Sequence, residues 1–221
     1  MFAQRKGDGR VVFFVYSVGS VRYKYIKDLK LVIIKYNAGN VCSVEFGLQR
    51  LGVNAIITDD ADEILSADKI IFPGVGAAGV AMEYLREKKL DELIKNCKQP
   101  FLGICLGMQL LCRYSEENDT TCIGVFDEAV KKFSGDIKVP QMGWNNIYDL
   151  KHPLFGEVNE NEYVYFVHSY YVERLDHTAA AANYSLEYSA ALQKDNFYAV
   201  QFHPEKSGKT GEKILKNFIE L

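Results

Sequence analysis

The chain has 221 residues, 48% hydrophobic and 25% charged, with a net charge of −3. That length supports one α/β domain with a sizeable core, and the charge gives no footing for nucleic acid or an anionic membrane surface. Cys42, Cys97, Cys105, Cys112 and Cys122 are odd in number, and neither they nor His152, His168, His177 and His203 show metal-ligand spacing; free thiols suit a reducing cytoplasm.

Residues 1–30 carry seven Lys/Arg against two Asp, so this segment is about +5 and the remainder about −8. Its apolar patch from Val11 to Val18 imitates a signal peptide faintly and is too short to span a membrane. Residues 1–29 are expected to be an extension, either a disordered tail or the product of an upstream start, and 30–221 the functional domain. Leu31–Ile34 is a short apolar run typical of a buried parallel strand. Asn40–Leu51 has helical spacing through Val41, Val44, Leu48 and Leu51. Strands are expected at Val53–Thr58 and Lys69–Phe72, and a helix over Met82–Lys95. An apolar strand then runs to Cys105, with a helix over about 106–114. The second half changes texture, with strands expected over 125–133, 146–149, 163–172, 179–188 and 199–202, and a closing helix over 210–221. The pattern predicts an α/β fold: an open, mostly parallel twisted sheet flanked by helices, with an antiparallel extension. Neither an internal repeat nor a low-complexity linker divides it.

Pro100–Gln109 reads Pro-Phe-Leu-Gly-Ile-Cys-Leu-Gly-Met-Gln. A strand, a reactive residue between glycines and a helix have the layout of a nucleophile elbow, with sulfur in place of a serine oxygen. The glycines admit a sharp turn and close approach, and the helix start turns its amides toward the sulfur. The bland alternative is a small buried hydrophobe. A catalytic cysteine needs a base, and the strand Ala199–Phe202 ends at His203, with Pro204 stopping it and Glu205 two residues on. A carboxylate on one ring nitrogen fixes the tautomer and stabilises the imidazolium. Cys105, His203 and Glu205 therefore form a candidate triad; a surface His-Pro-Glu turn is the alternative. Phe72–Gly76 after a strand presents backbone amides suited to an oxyanion, or makes an ordinary turn. The loop Pro73–Gly79 lacks the Gly-Lys-Ser/Thr ending of a phosphate-binding loop. The aromatic run 163–171 has no basic groove beside it, so strand packing at a pocket edge is preferred to a nucleic-acid platform.

These two runs resemble those of class I, triad-type glutamine amidotransferases, over roughly residues 30–221. The additional stretches Phe72–Gly76, Pro140–Asn145, Phe166–Tyr171 and Phe202–Gly208 resemble those of the glutaminase subunits of imidazole glycerol phosphate synthases. The resemblance implies attack by Cys105 on the glutamine side-chain amide, proton delivery by His203 to departing ammonia, and hydrolysis of a glutamyl thioester. It implies an oxyanion hole at Gly74, Val75 and Leu106, and a glutamine pocket at Gly74, Gln109, His168, Ser169 and Tyr170. Asn37, Asn40, Gln141, Trp144 and Lys206 are implied to face a (β/α)₈-barrel cyclase subunit in a heterodimer of histidine biosynthesis. That cyclase would use ammonia and a phosphoribulosyl-formimino carboxamide nucleotide, and would switch on the glutaminase through a flip of the Gly74–Val75 peptide. No cofactor or metal is implied, and the setting is cytoplasmic. For His168 a structural role, and for Trp144 core packing, are the alternatives. Lys35 and Asn37 depart from the family's usual Asp-Tyr-Gly-Ala-Gly-Asn; asparagine tolerates positive φ, so the turn is expected to survive. The rivals are a glutaminase serving another synthase, a stand-alone hydrolase of γ-glutamyl peptides, and a regulatory subunit without activity.

Overall fold

The computed structural model of the chain describes residues 3–5, 11–17, 20–25, 29–36, 40–151 and 153–221. They fall into two units, Met1–Lys30 and Leu31–Leu221. In the first, β1 (Ala3–Arg5), β2 (Val11–Ser17) and β3 (Ser20–Tyr25) pair antiparallel in that order. The expectation for residues 1–29 concerns this unit, of which 1–2, 6–10, 18–19 and 26–28 lie outside the described residues.

The second unit opens with β4 (Leu31–Ile34), buried at all four positions, as a parallel strand covered on both faces requires. The alternation continues through α1 (Val41–Arg50), β5 (Ala55–Thr58), α2 (Ala61–Leu65) and β6 (Lys69–Gly74). The short α2 escaped the sequence reading; the Asp60 side chain caps it by accepting from Glu63 N at 2.9 Å. The helix expected over 82–95 is two, α3 (Ala78–Glu87) and α4 (Leu90–Asn96), because Lys89 at φ 56° redirects the chain between them. β7 (Phe101–Cys105) leads into α5 (Leu106–Leu111). This helix stops short of 114 because the amides of Ile123 and Val125 take the carbonyls of Leu110 and Leu111 at 2.9 Å, and the chain leaves as β8 (Cys112–Ser115).

β9 (Thr120–Thr121), β10 (Phe126–Lys132), β11 (Gln141–Asn146), β12 (Tyr163–His168), β13 (Tyr170–Val172), β14 (Thr178–Tyr184), β15 (Leu186–Lys194) and β16 (Phe197–Val200) follow, and α6 (Gly208–Glu220) comes last. The strand expected over 146–149 lies earlier, as β11, with Tyr148 only bridging Ala181. The stretch Pro140–Asn145 thus falls largely within this strand. The stretch 163–172 is two strands in different sheets, and 179–188 belongs to a hairpin that turns at Ser185, φ 67°.

The main sheet has the order β14-β15-β16-β7-β6-β4-β5. It is parallel from β16 to β5 and antiparallel from β14 to β16. The predicted fold class is therefore the observed one. Strand order reverses between β4 and β6, which places a crevice at the carboxyl edge of these strands. Smaller sheets, β13-β10-β8-β9 and β11-β12, complete the unit. Among the described residues no helix is long and apolar enough to cross a membrane.

Candidate active site

The carboxyl ends of β6 and β7 pair Gly74 with Cys105. Cys105 itself has φ 54° and ψ −109°, a strained conformation for a residue with a Cβ. The flanking glycines do not take up that strain, since neither has positive φ. They serve close approach: a Cβ on Gly107 would lie 1.8 Å from the Phe72 carbonyl oxygen, and one on Gly103 would lie 2.8 Å from Leu111 Cδ1. The elbow is held by packing of α5 onto β6 and β7, and the sulfur is aimed by the strained residue. Cys105 is only 6% exposed, and Sγ lies 3.7 Å from both Val167 O and Gln201 Nε2.

His203 lies three residues past the end of β16, where its N–H donates to Tyr165 O at 2.9 Å. Pro204–Lys206 forms a single helical turn that brings Glu205 back under the ring. Nδ1 and Glu205 Oε1 are 2.9 Å apart, with both side chains buried. An ionised carboxylate only accepts, so Nδ1 carries the proton and Nε2 is left for the Cys105 thiol. Burial works against a charge on His203, but hydrogen bonds to Cys105 and Glu205, together with their charges, outweigh it and raise the ring's pKa. That shift belongs to the coupled sulfur–imidazole pair. The other buried thiols lack such a partner: burial pushes Cys97 up to about 11 and Cys122 up to about 12, and raises Cys112 well above its ordinary value.

A cavity of ≈ 290 Å³ opens on the pair, near the lower end of the usual range for small-molecule sites. Cys105, Leu106, Val75 and His203 line its reacting end. Leu106 is the first residue of α5, so its N–H has no partner within the helix. Gly74 does not line the cavity; the space a Cβ would take there is filled by the Tyr36 hydroxyl, at 1.9 Å. Gln109, His168, Ser169 and Tyr170 line the same cavity. The Gln109 amide is held by Tyr170 O at 3.2 Å and Gln201 Oε1 at 2.9 Å. His168 Nδ1 bonds Tyr170 O at 2.8 Å, and burial lowers the ring's pKa to about 4, so it is neutral.

Glu117, absent from the sequence reading, also lines the cavity, and its Oε2 accepts from Ala78 N at 2.7 Å. The acidic run Glu116-Glu117-Asn118-Asp119 was its only signal, and it reads as a solvated turn.

The residues expected to face a partner divide. Trp144 is 55% exposed, which overturns core packing, and Met142 beside it on the same face of β11 is 63% exposed. Lys206 is exposed on the cavity rim. Gln141 is instead 3% exposed, with Oε1 accepting from the Tyr188 hydroxyl at 3.0 Å; it is the inward member of the strand alternation. Asn40 is also turned inward, with Nδ2 2.6 Å from Glu205 Oε1. Asn37, and with it the expectation for its turn, lies outside the described residues. Among the described residues no group of three His, Cys, Asp or Glu is placed to hold a metal.

A thiol, an imidazole and a carboxylate meeting at an elbow above a parallel sheet have the arrangement of a covalent hydrolase, and comparison with known proteins names the class. The model of the glutamine amidotransferase class-I family matches residues 33–221. A glutamine amidotransferase of known structure superposes with a TM-score of 0.67 at 16% identity, covering 86% of this chain and 97% of that one. Another, from Thermotoga maritima, does so with a TM-score of 0.58 at 17% identity, over 87% and 83%. At those identities the likeness is one of fold. The imidazole glycerol phosphate synthase subunit HisH of Bacteroides thetaiotaomicron is 57% identical over 87% of this chain and its own whole length. That of Haemophilus influenzae is 46% identical over 87% of this chain and 98% of its own length. The chain belongs to the class I glutamine amidotransferases and, within them, to the glutaminase subunits of imidazole glycerol phosphate synthase, the HisH family of histidine biosynthesis.

Proposed function

We propose that Cys105, His203 and Glu205 hydrolyse glutamine and that the ammonia passes to a cyclase subunit docked over Trp144 and Lys206. The meeting of Cys105 and His203 at one cavity, with Glu205 on the far side of the ring, carries this reading. The Cys105 thiol gives its proton to His203 Nε2 as Sγ forms a bond to the carboxamide carbon, and the developing oxyanion is held by the amides of Val75 and Leu106. His203 gives its proton to the leaving nitrogen, the C–N bond breaks, and a thioester and ammonia result. His203 then takes a proton from water as it attacks the thioester, the C–S bond breaks, the sulfur takes that proton back from the ring, and glutamate leaves. Glu205 keeps the ring in one tautomer throughout.

The Glu117 carboxylate suits the substrate's α-ammonium group, and Gln109, Ser169 and Tyr170 line the remainder of the pocket. Neutral His168, packed among Phe133, Phe166 and Tyr188, supports the wall rather than the chemistry. Ammonia is to be delivered unprotonated, so the cyclase must seal against the face beside the cavity. Met142 and Trp144 give that face an apolar, aromatic anchor.

A glutaminase assay with and without the cyclase and its nucleotide tests this reading. Turnover is expected to rise when both are present, and Cys105→Ala is expected to abolish it while ammonia-driven cyclisation by the complex continues. Glutamine hydrolysis by Cys105→Ala would overturn the assignment. A rate indifferent to the cyclase and nucleotide would overturn the coupling.

A further inference from the structure

The resemblance implied a partner-facing Asn40, yet the structure turns its amide toward Glu205. Nδ2 lies 2.6 Å from Glu205 Oε1 and 3.4 Å from His203 Nδ1. The reverse amide orientation would set a carbonyl oxygen against a carboxylate, so Nδ2 must be the atom that faces Glu205. His203 Nδ1–H and the Asn40 amide thus converge on one oxygen, while the other carboxylate oxygen, Oε2, is buried with no hydrogen-bond partner. The Glu205 side chain is 0% exposed, and a buried carboxylate depends on its donors to remain charged.

The geometry points to Asn40 as a positioning residue of the glutaminase reaction, its amide holding the Glu205 carboxylate ionised and turned toward His203. This inference rests on the triad reading of the same site. Backbone and packing agree with it. Asn40 has φ 78° and ψ 3° at the start of α1, a left-handed conformation that asparagine and aspartate enter more readily than other residues with a Cβ. Gly47, two turns on, lets α1 approach Glu205 so closely that a Cβ there would lie 3.2 Å from Glu205 Cβ.

His203, with Cys105 beyond it, faces one side of Glu205. From α1, Arg50 reaches the Glu205 backbone oxygen at 3.2 Å and pairs with Glu212 of α6 at 3.5 Å. Among the described residues, Asn40 and His203 are the side chains bonded to the carboxylate oxygens.

The test compares Asn40→Asp and Asn40→Ala with the wild type as complexes with the cyclase, following kcat and KM for glutamine against pH. Asn40→Asp keeps the shape and the left-handed preference but sets two carboxylates together, which then share a proton. The acid limb is expected to move up by about one pH unit or more. Asn40→Ala removes a donor to the charged form, so its acid limb moves the same way, and kcat falls about tenfold while KM stays within about twofold. The pH dependence of Cys105 alkylation by iodoacetamide in Asn40→Ala gives the same reading should the Asp variant fail to fold. Wild-type profiles in both variants, or a loss of cyclase affinity with the profile unchanged, would overturn the inference. Cys105→Ala run in parallel separates the two failures: if it still hydrolyses glutamine the triad reading falls, and if it is dead while the Asn40 variants behave as wild type, only this inference falls.

Discussion

Two histidines show how the environment assigns roles that residue type leaves open. His203 and His168 both border the cavity, yet the first sits between a thiol and a carboxylate that raise its pKa and the second is held neutral in an aromatic wall. Burial lowers His168 from 6.5 to about 4, so the unfolded chain binds a proton in that interval that the folded chain does not. The resulting stability is complete above 6.5 and is lost as pH falls toward 4, at about 1.4 kcal/mol per pH unit. His168→Phe is expected to remove this slope, as measured by urea unfolding across the interval; an unchanged slope would place the acid sensitivity elsewhere. Cys105, His203 and Glu205 were legible because their neighbours are unusual: glycines at 103 and 107, and a proline at 204. Glu117 and the inward turn of Asn40 were not, because an acidic run and an asparagine at a turn look the same whether they face solvent or a site.

Two elements position the proposed triad, and each depends on a glycine where backbones touch. At the elbow a Cβ on Gly107 would meet the Phe72 backbone, whereas one on Gly103 would press most closely on the movable end of Leu111. Gly107→Ala is therefore expected to lower stability by about 3 kcal/mol or more and Gly103→Ala by about 1; a reversed order of urea midpoints would contradict this account of the elbow. In α6 a Cβ on Gly211 would lie 1.8 Å from Pro204 O. Gly211→Ala should displace the turn that carries Glu205 and lose glutamine turnover even at temperatures where circular dichroism shows it folded. Ser207 ties the same turn down, donating to His203 O at 2.6 Å and accepting from Tyr165 N at 2.9 Å.

Over the whole molecule, the described site residues lie within Leu31–Leu221. Removing residues 1–29 is expected to leave glutamine hydrolysis and its response to the cyclase unchanged; a loss of either would give that unit a part in function. The exposed face of β11 makes the opposite prediction. Trp144→Ala should leave the unfolding midpoint in place while weakening association with the cyclase by about 2 kcal/mol, read by titration calorimetry. Unchanged affinity would move the docking surface elsewhere.

The sequence by itself determined the parallel sheet, the elbow cysteine and the His-Pro-Glu turn, since a buried strand, a close backbone contact and a proline each restrict which residues can stand there. Tertiary structure alone decided where α5 ends, which of Asn40, Gln141 and Trp144 turn inward, and that the carboxylate at position 117 borders the cavity. Those outcomes depend on hydrogen bonds and packing between segments far apart in the chain, for which no local pattern exists.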